Sequence, residues 1–175
     1  TQADESSESY PSSACQLDLA RILVSDLQEL GIDNASVDKY GYVTASIPAN
    51  DPAFENVPVI AFMAHMDTYP EVSGENVVPT FHENYQGGDI ALPNDGVVIK
   101  ASENPYLAEC VGETIITADG TTLLGADDKA GVAEILEAMT RIVENPDFKH
   151  GPFKIAFTPD EEVGAGVKYF DVKGF

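Results

Sequence analysis

Val57-Pro58-Val59-Ile60-Ala61-Phe62-Met63-Ala64-His65-Met66-Asp67 is the stretch that decides the fold. It is almost wholly apolar from Val57 to Ala64 and then turns polar at His65 and Asp67. A continuous apolar strand of this kind is usually central in a sheet covered on both faces. On an extended backbone, side chains two apart share a side, so His65 and Asp67 leave the strand end together.

Working outward, a second buried strand is expected over Phe153–Thr158. A helix is expected from about Ser13 to Leu30, where Leu23, Val24, Leu27 and Leu30 recur at helical spacing. Ser12 or Ser13 can cap its start and Gly31 can end it. Short strands near Ala35–Asp38 and Tyr42–Ile47 flank the Lys39-Tyr40-Gly41 turn. A second helix, from about Lys129 to Val143, carries the stripe Val132, Ile135, Leu136, Met139, Ile142 and Val143. Between these elements, Tyr69–Cys110 is rich in Gly, Pro, Asn and Asp, with a weak strand near Val97–Lys100, and reads as a surface excursion rather than a second domain. Thr114–Ala118 and Thr121–Leu124 read as strands joined by an Asp119-Gly120 turn. Thr1–Pro11 reads as a flexible lead-in, and Glu162–Phe170 as the start of a further turn or helix. Helices alternating with apolar strands indicate an α/β sandwich, in which sites form where loops leave the carboxyl ends of strands.

Composition narrows the function. The 175 residues, 43% of them hydrophobic, suffice for one domain with a core. No run approaches the roughly 18 apolar residues of a membrane span. The net charge of −21 repels phosphate backbones and anionic lipid, so nucleic acid and membrane are not expected partners. Such a surface attracts cations, although acid also simply keeps a protein in solution. Cys15 and Cys110 make neither a disulfide framework nor a structural zinc site, and read as reduced, partly buried thiols of a cytoplasmic protein. The chain begins at Thr1 rather than Met, which points to a trimmed start.

Three acidic clusters each follow a strand. The first is His65-Met66-Asp67. An imidazole can bind a metal through one nitrogen while a carboxylate holds the other N–H. The second, Gly125-Ala126-Asp127-Asp128-Lys129, opens a helix, where a carboxylate could bridge two cations or merely complement the helix dipole. The third is Thr158-Pro159-Asp160-Glu161-Glu162, where one carboxylate can bind metal while its neighbour takes a proton. Each alone also fits an ordinary solvated loop or a satisfied core histidine. Together, one imidazole and several oxygens suit zinc, cobalt or manganese. The remaining histidines, His82 and His150, read as surface residues.

His65-Met66-Asp67, Gly125–Gly131 and Thr158–Gly164 resemble the signature segments of the co-catalytic zinc peptidases, a family that includes carboxypeptidases, aminoacylases and aminopeptidases. Within that family, Ser73-Gly74-Glu75-Asn76-Val77 and Glu83–Leu92 resemble the branch that removes the first residue of tripeptides. The resemblance implies a three-layer α/β sandwich with a mixed, mainly parallel central sheet. It implies two zinc ions, short peptides as partners and cytoplasmic residence. His65 would bind one metal and Asp67 would orient it. Asp127 would bridge both metals, Glu162 would bind the second, and Glu161 would be the general base. The family also uses a further acidic ligand downstream, a histidine near its C-terminus and an inserted lid domain, none of them present in residues 1–175. The chain is therefore expected to be a partial catalytic domain with an incomplete metal shell and little activity of its own. Two other readings stand beside this one: a dipeptidase, carboxypeptidase or deacylase of the same family, and a non-catalytic acidic module that binds cations or peptide.

Overall fold

A computed structural model describes residues 1–175. The elements in chain order are α1 (Cys15–Glu29), β1 (Ser36–Val37), β2 (Val43–Ile47), β3 (Ile60–His65), β4 (Thr80–His82), β5 (Ile90–Ala91), β6 (Val98–Ile99), β7 (Ile115–Thr117), α2 (Ala126–Glu144) and β8 (Phe153–Thr158). They divide into two compact units, one of Thr1–Pro70 with Ala126–Phe175 and the other of Glu71–Gly125.

The first unit is α/β and is built on a four-stranded mixed sheet of order β1-β2-β8-β3. β3 runs parallel to β8, with Ile60 opposite Phe153 and His65 opposite Thr158. β2 runs antiparallel to β8, and β1 to β2. Alternation sends Val43, Ala45, Ile155, Phe157 and Ala64 to one face. There they join Ala20, Leu23 and Leu27 of α1 and Val132, Ile135 and Met139 of α2 in one buried cluster. Both helices thus cover the same face, because each presents one apolar stripe at helical spacing. Burying a side chain the size of Leu23, Phe157 or Met139 contributes about 1.5–3 kcal/mol relative to exposure. On the other face, Lys154 donates to the Phe175 carbonyl and lies 5.1 Å from its ring centre. Tyr10, Tyr40 and Tyr169 make ring contacts beside it, with Tyr40 and Tyr169 stacked at 4.4 Å.

Several local expectations meet a different outcome. Within residues 1–175 β3 lies at one end of the four-stranded sheet, and Ile60, Phe62 and Met63 are 54, 36 and 46% exposed. β2 and β8 are each paired on both sides, since an apolar run reports what a strand can bury and not how many neighbours it finds. Thr1–Pro11 is tied down: the Ala3 N–H donates to the Thr68 carbonyl at 3.0 Å, and Gln2 bridges Thr68. Neither Ser12 nor Ser13 caps α1; the cap position is Ala14, which makes no side-chain bond. His150 is buried rather than superficial, with its ring stacked 5.2 Å from that of Phe153. Glu162–Phe170 forms turns; Cys15 is exposed rather than partly buried, because it starts α1 outside the helix's buried stripe, and Cys110 is half-buried as expected.

The second unit holds two small antiparallel sheets, β4 with β7 and β5 with β6. The excursion therefore has a compact organisation of its own. The expected Asp119-Gly120 hairpin does not form, and Thr121–Leu124 is not a strand. Gly120 has φ +105°, and a Cβ there would fall 2.4 Å from the Asn94 carbonyl oxygen. The chain at Gly120 packs against Asn94, whose N–H donates to the Asp119 carbonyl, and β7 pairs with β4.

Candidate metal centre

Because β3 and β8 are parallel and in register, their carboxyl ends lie side by side. The Met66 N–H donates to the Thr158 carbonyl at 2.8 Å and ties the two exits together. β3 delivers His65 and Asp67 there, and β8 delivers Asp160, Glu161 and Glu162. α2, which packs on β3, brings Asp127 and Asp128 at its start, both in non-helical backbone geometry.

Three stretches far apart in sequence thereby meet. His65 Nε2 is 3.0 Å from Asp127 Oδ1 and 3.7 Å from Glu161 Oε2. One ligand atom from each of His65, Asp127 and Glu162 lies within 4.8 Å of the others. A neutral imidazole nitrogen and two carboxylates form a donor set that suits a divalent transition metal, and the convergence of their free atoms fits a shared cation.

Asp67 is fully buried and organises the centre. Its Oδ1 and backbone carbonyl lie 3.3 and 3.2 Å from His65 Nδ1. Its two carboxylate oxygens also accept the N–H groups of Glu161 and Glu162, at 3.0 and 2.9 Å. One side chain therefore fixes both the imidazole and the acidic loop. Asp67 holds the Nδ1–H, while Nε2 faces the Asp127 carboxylate and must give up its proton for a cation to take that position.

The charges follow from this packing. Burial raises the Asp67 carboxyl, but the His65 hydrogen bond and the two amides outweigh it and hold the group below the usual range. Burial opposes a charged His65, yet hydrogen bonds to Asp67 and Asp127 and the nearby Glu161 charge raise it to about 9. Burial, with the surrounding carboxylates, raises Glu162, while His65 opposes the rise.

Several supporting residues carried no assignment from sequence. Asp128 Oδ2 accepts the backbone N–H of His65 at 3.3 Å, and its Oδ1 accepts that of Gly131. Lys129, lowered by burial, donates to the Met66 carbonyl at 2.6 Å. Asp160 bonds to Ser12 and Gln16. Asp128 and Lys129 stand inside a quoted motif, so their position was a usable signal. Nothing in the sequence links Ser12 or Gln16 to Asp160. His82 lies in the second unit, facing Thr117 Oγ1 at 3.0 Å.

A parallel pair of strands thus delivers an imidazole and carboxylates to one end of the sheet. Residues 115–172 match the model of peptidase family M20/M25/M40. More particularly, the chain resembles peptidase T over its whole length. It is 49% identical to peptidase T of Listeria monocytogenes serotype 4b, strain CLIP80459, and 51% identical to that of Clostridium novyi, strain NT. All of this chain aligns in both cases, against 42% and 43% of those proteins, so it spans less than half the length of the curated relatives it matches. The solved aminopeptidase PepT of Bacillus cereus superposes on 90% of the chain, and 35% of that protein, with a TM-score of 0.63 at 25% identity.

Proposed function

We propose that residues 1–175 are part of the catalytic domain of a metal-dependent aminopeptidase that hydrolyses the first peptide bond of tripeptides. The observation that carries this reading is the meeting of His65, Asp127 and Glu162 within 4.8 Å, with the Glu161 carboxylate 3.7 Å from the same imidazole nitrogen. The names of the relatives support peptides as the substrate class. Two unpaired cysteines and the absence of any helix long and apolar enough to cross a membrane accord with residence in the cytoplasm.

In this reading His65, through Nε2, would hold one zinc ion, Glu162 would hold the second, and Asp127 would serve both. Two zinc ions, when bound, supply Lewis acidity that eases loss of a proton from water and polarises the peptide carbonyl. Asp67 keeps the His65 proton on Nδ1, so that Nε2 stays a donor of electrons. Glu161, whose side chain is 58% exposed, faces the opening of the site. It takes the proton of the water that adds to the carbonyl carbon. As the C–N bond breaks, it returns that proton to the leaving amine nitrogen. Because residues 1–175 gather only three donor side chains, this stretch alone is expected to hold metal weakly and turn over little peptide.

The test is Glu161→Gln in the full-length protein. Loss of a general base lowers kcat about 10²- to 10⁴-fold with zinc still bound. Turnover of a tripeptide that survives the substitution removes Glu161 from the mechanism.

A further inference from the structure

Beside the metal centre lies a second buried acid that the reaction does not use. Asp160 is 1% exposed and sits in the left-handed backbone region at φ +56°. A carboxylate buried this deeply requires partners, and its nearest are neutral groups from the opposite end of the chain. Asp160 Oδ2 accepts the Ser12 N–H at 2.7 Å. Its Oδ1 accepts the Ser12 hydroxyl at 2.5 Å and the Gln16 amide at 2.7 Å. In return the Asp160 N–H donates to Gln16 Oε1 at 3.0 Å. Ser12 and Gln16 are themselves buried, and neither caps α1.

The consequence lies in the next two residues. The N–H of Asp160 is held by Gln16, and those of Glu161 and Glu162 are held by Asp67. Three consecutive amides are thus fixed from two sides. The Asp160 carbonyl is occupied too, accepting from Ala165 at 2.9 Å. The backbone from which the base and the metal-binding carboxylate depart cannot turn without breaking buried bonds.

We propose that Ser12, Gln16 and Asp160 are positioning residues, which set the direction of Glu161 and Glu162 from the start of α1. This inference rests on the metallopeptidase reading above. The lead-in before α1 is then part of the reaction machinery, although none of these three side chains touches a substrate.

The experiment compares Ser12→Ala, Ser12→Thr, Gln16→Ala and Asp160→Asn in the full-length protein. Zinc affinity is read by competition with a chelator, kcat and KM with a tripeptide, and melting temperature after metal removal. Supporting groups of metal ligands typically change affinity or activity about 10- to 100-fold. Gln16→Ala and Asp160→Asn are expected to weaken zinc and lower kcat in that range with KM nearly unchanged. Ser12→Ala shows a smaller loss, which Ser12→Thr restores. Ser12→Ala removes one donor of three, so it carries the test if Asp160→Asn does not fold. Variants that melt earlier yet keep zinc affinity and kcat within about twofold of the parent overturn the proposal, since a mere structural anchor behaves that way. Zinc affinity is read without turnover, so it judges these three residues even if Glu161→Gln proves the base assignment wrong.

Discussion

Single side chains here have double duties, and two predictions follow at that scale. Asp67 accepts from His65 and from two backbone amides. In Asp67→Asn one oxygen becomes an NH₂ that must face a donor in a buried site. Hydrogen bonds to charged groups contribute more than neutral ones, so the metal-free protein should lose on the order of 2–3 kcal/mol in denaturant unfolding. Tyr10 gives a pH signature. Burial, the hydrogen bond to Tyr42, and the nearby Tyr42, Asp160 and Asp38 all raise its phenol well above the ordinary value. The contribution is complete below the unfolded pKa. It falls away as pH rises past about 10, because only the unfolded chain can then release the proton. Melting temperature between about pH 9.5 and 11.5 should therefore fall less steeply in Tyr10→Phe than in the parent.

Among the elements, burial along each helix sets the response to truncation. Met139 of α2 is fully buried against the sheet, whereas Ile22 of α1 is 56% exposed. Met139→Ala should cost about 2–5 kcal/mol, and Ile22→Ala should stay within about 0.5 kcal/mol, both measured by denaturant titration. The helices were legible in sequence because Leu23, Leu27, Val132, Ile135 and Met139 recur at a period that only one local geometry satisfies. β2, β3 and β8 were legible from their apolar content. What escaped were choices among partners. The apolar content of β3 could not tell an edge from a centre, and an Asp-Gly turn could not reveal that Asn94 would press against Gly120. The site was readable as three acidic clusters, since each one ends a strand or opens a helix. Its support was not, because Ser12 and Asp160 are 148 residues apart and hydroxyl-to-carboxylate pairing leaves no periodicity.

At the scale of the molecule, the net charge of −21 is barely offset by pairing. The ion pairs made by Lys and Arg side chains, Arg21–Asp18, Lys100–Glu103 and Arg141–Glu137, are all exposed and local. Exposed pairs of this kind contribute about 0–1 kcal/mol each. Self-repulsion should therefore be the larger electrostatic effect, and screening should relieve it. Raising sodium chloride from about 10 to 200 mM should lift the melting temperature, where a protein held together by ion pairs would lose stability.

The position of β3 bears on handling as well as on architecture. Within residues 1–175 no strand pairs with its outer side, where Ile60, Phe62 and Met63 are exposed with no charged side chain among them. Any extended segment that drifts alongside can continue the ladder there. Where residues 1–175 stand alone, raising the concentration should therefore draw copies together despite their net charge of −21.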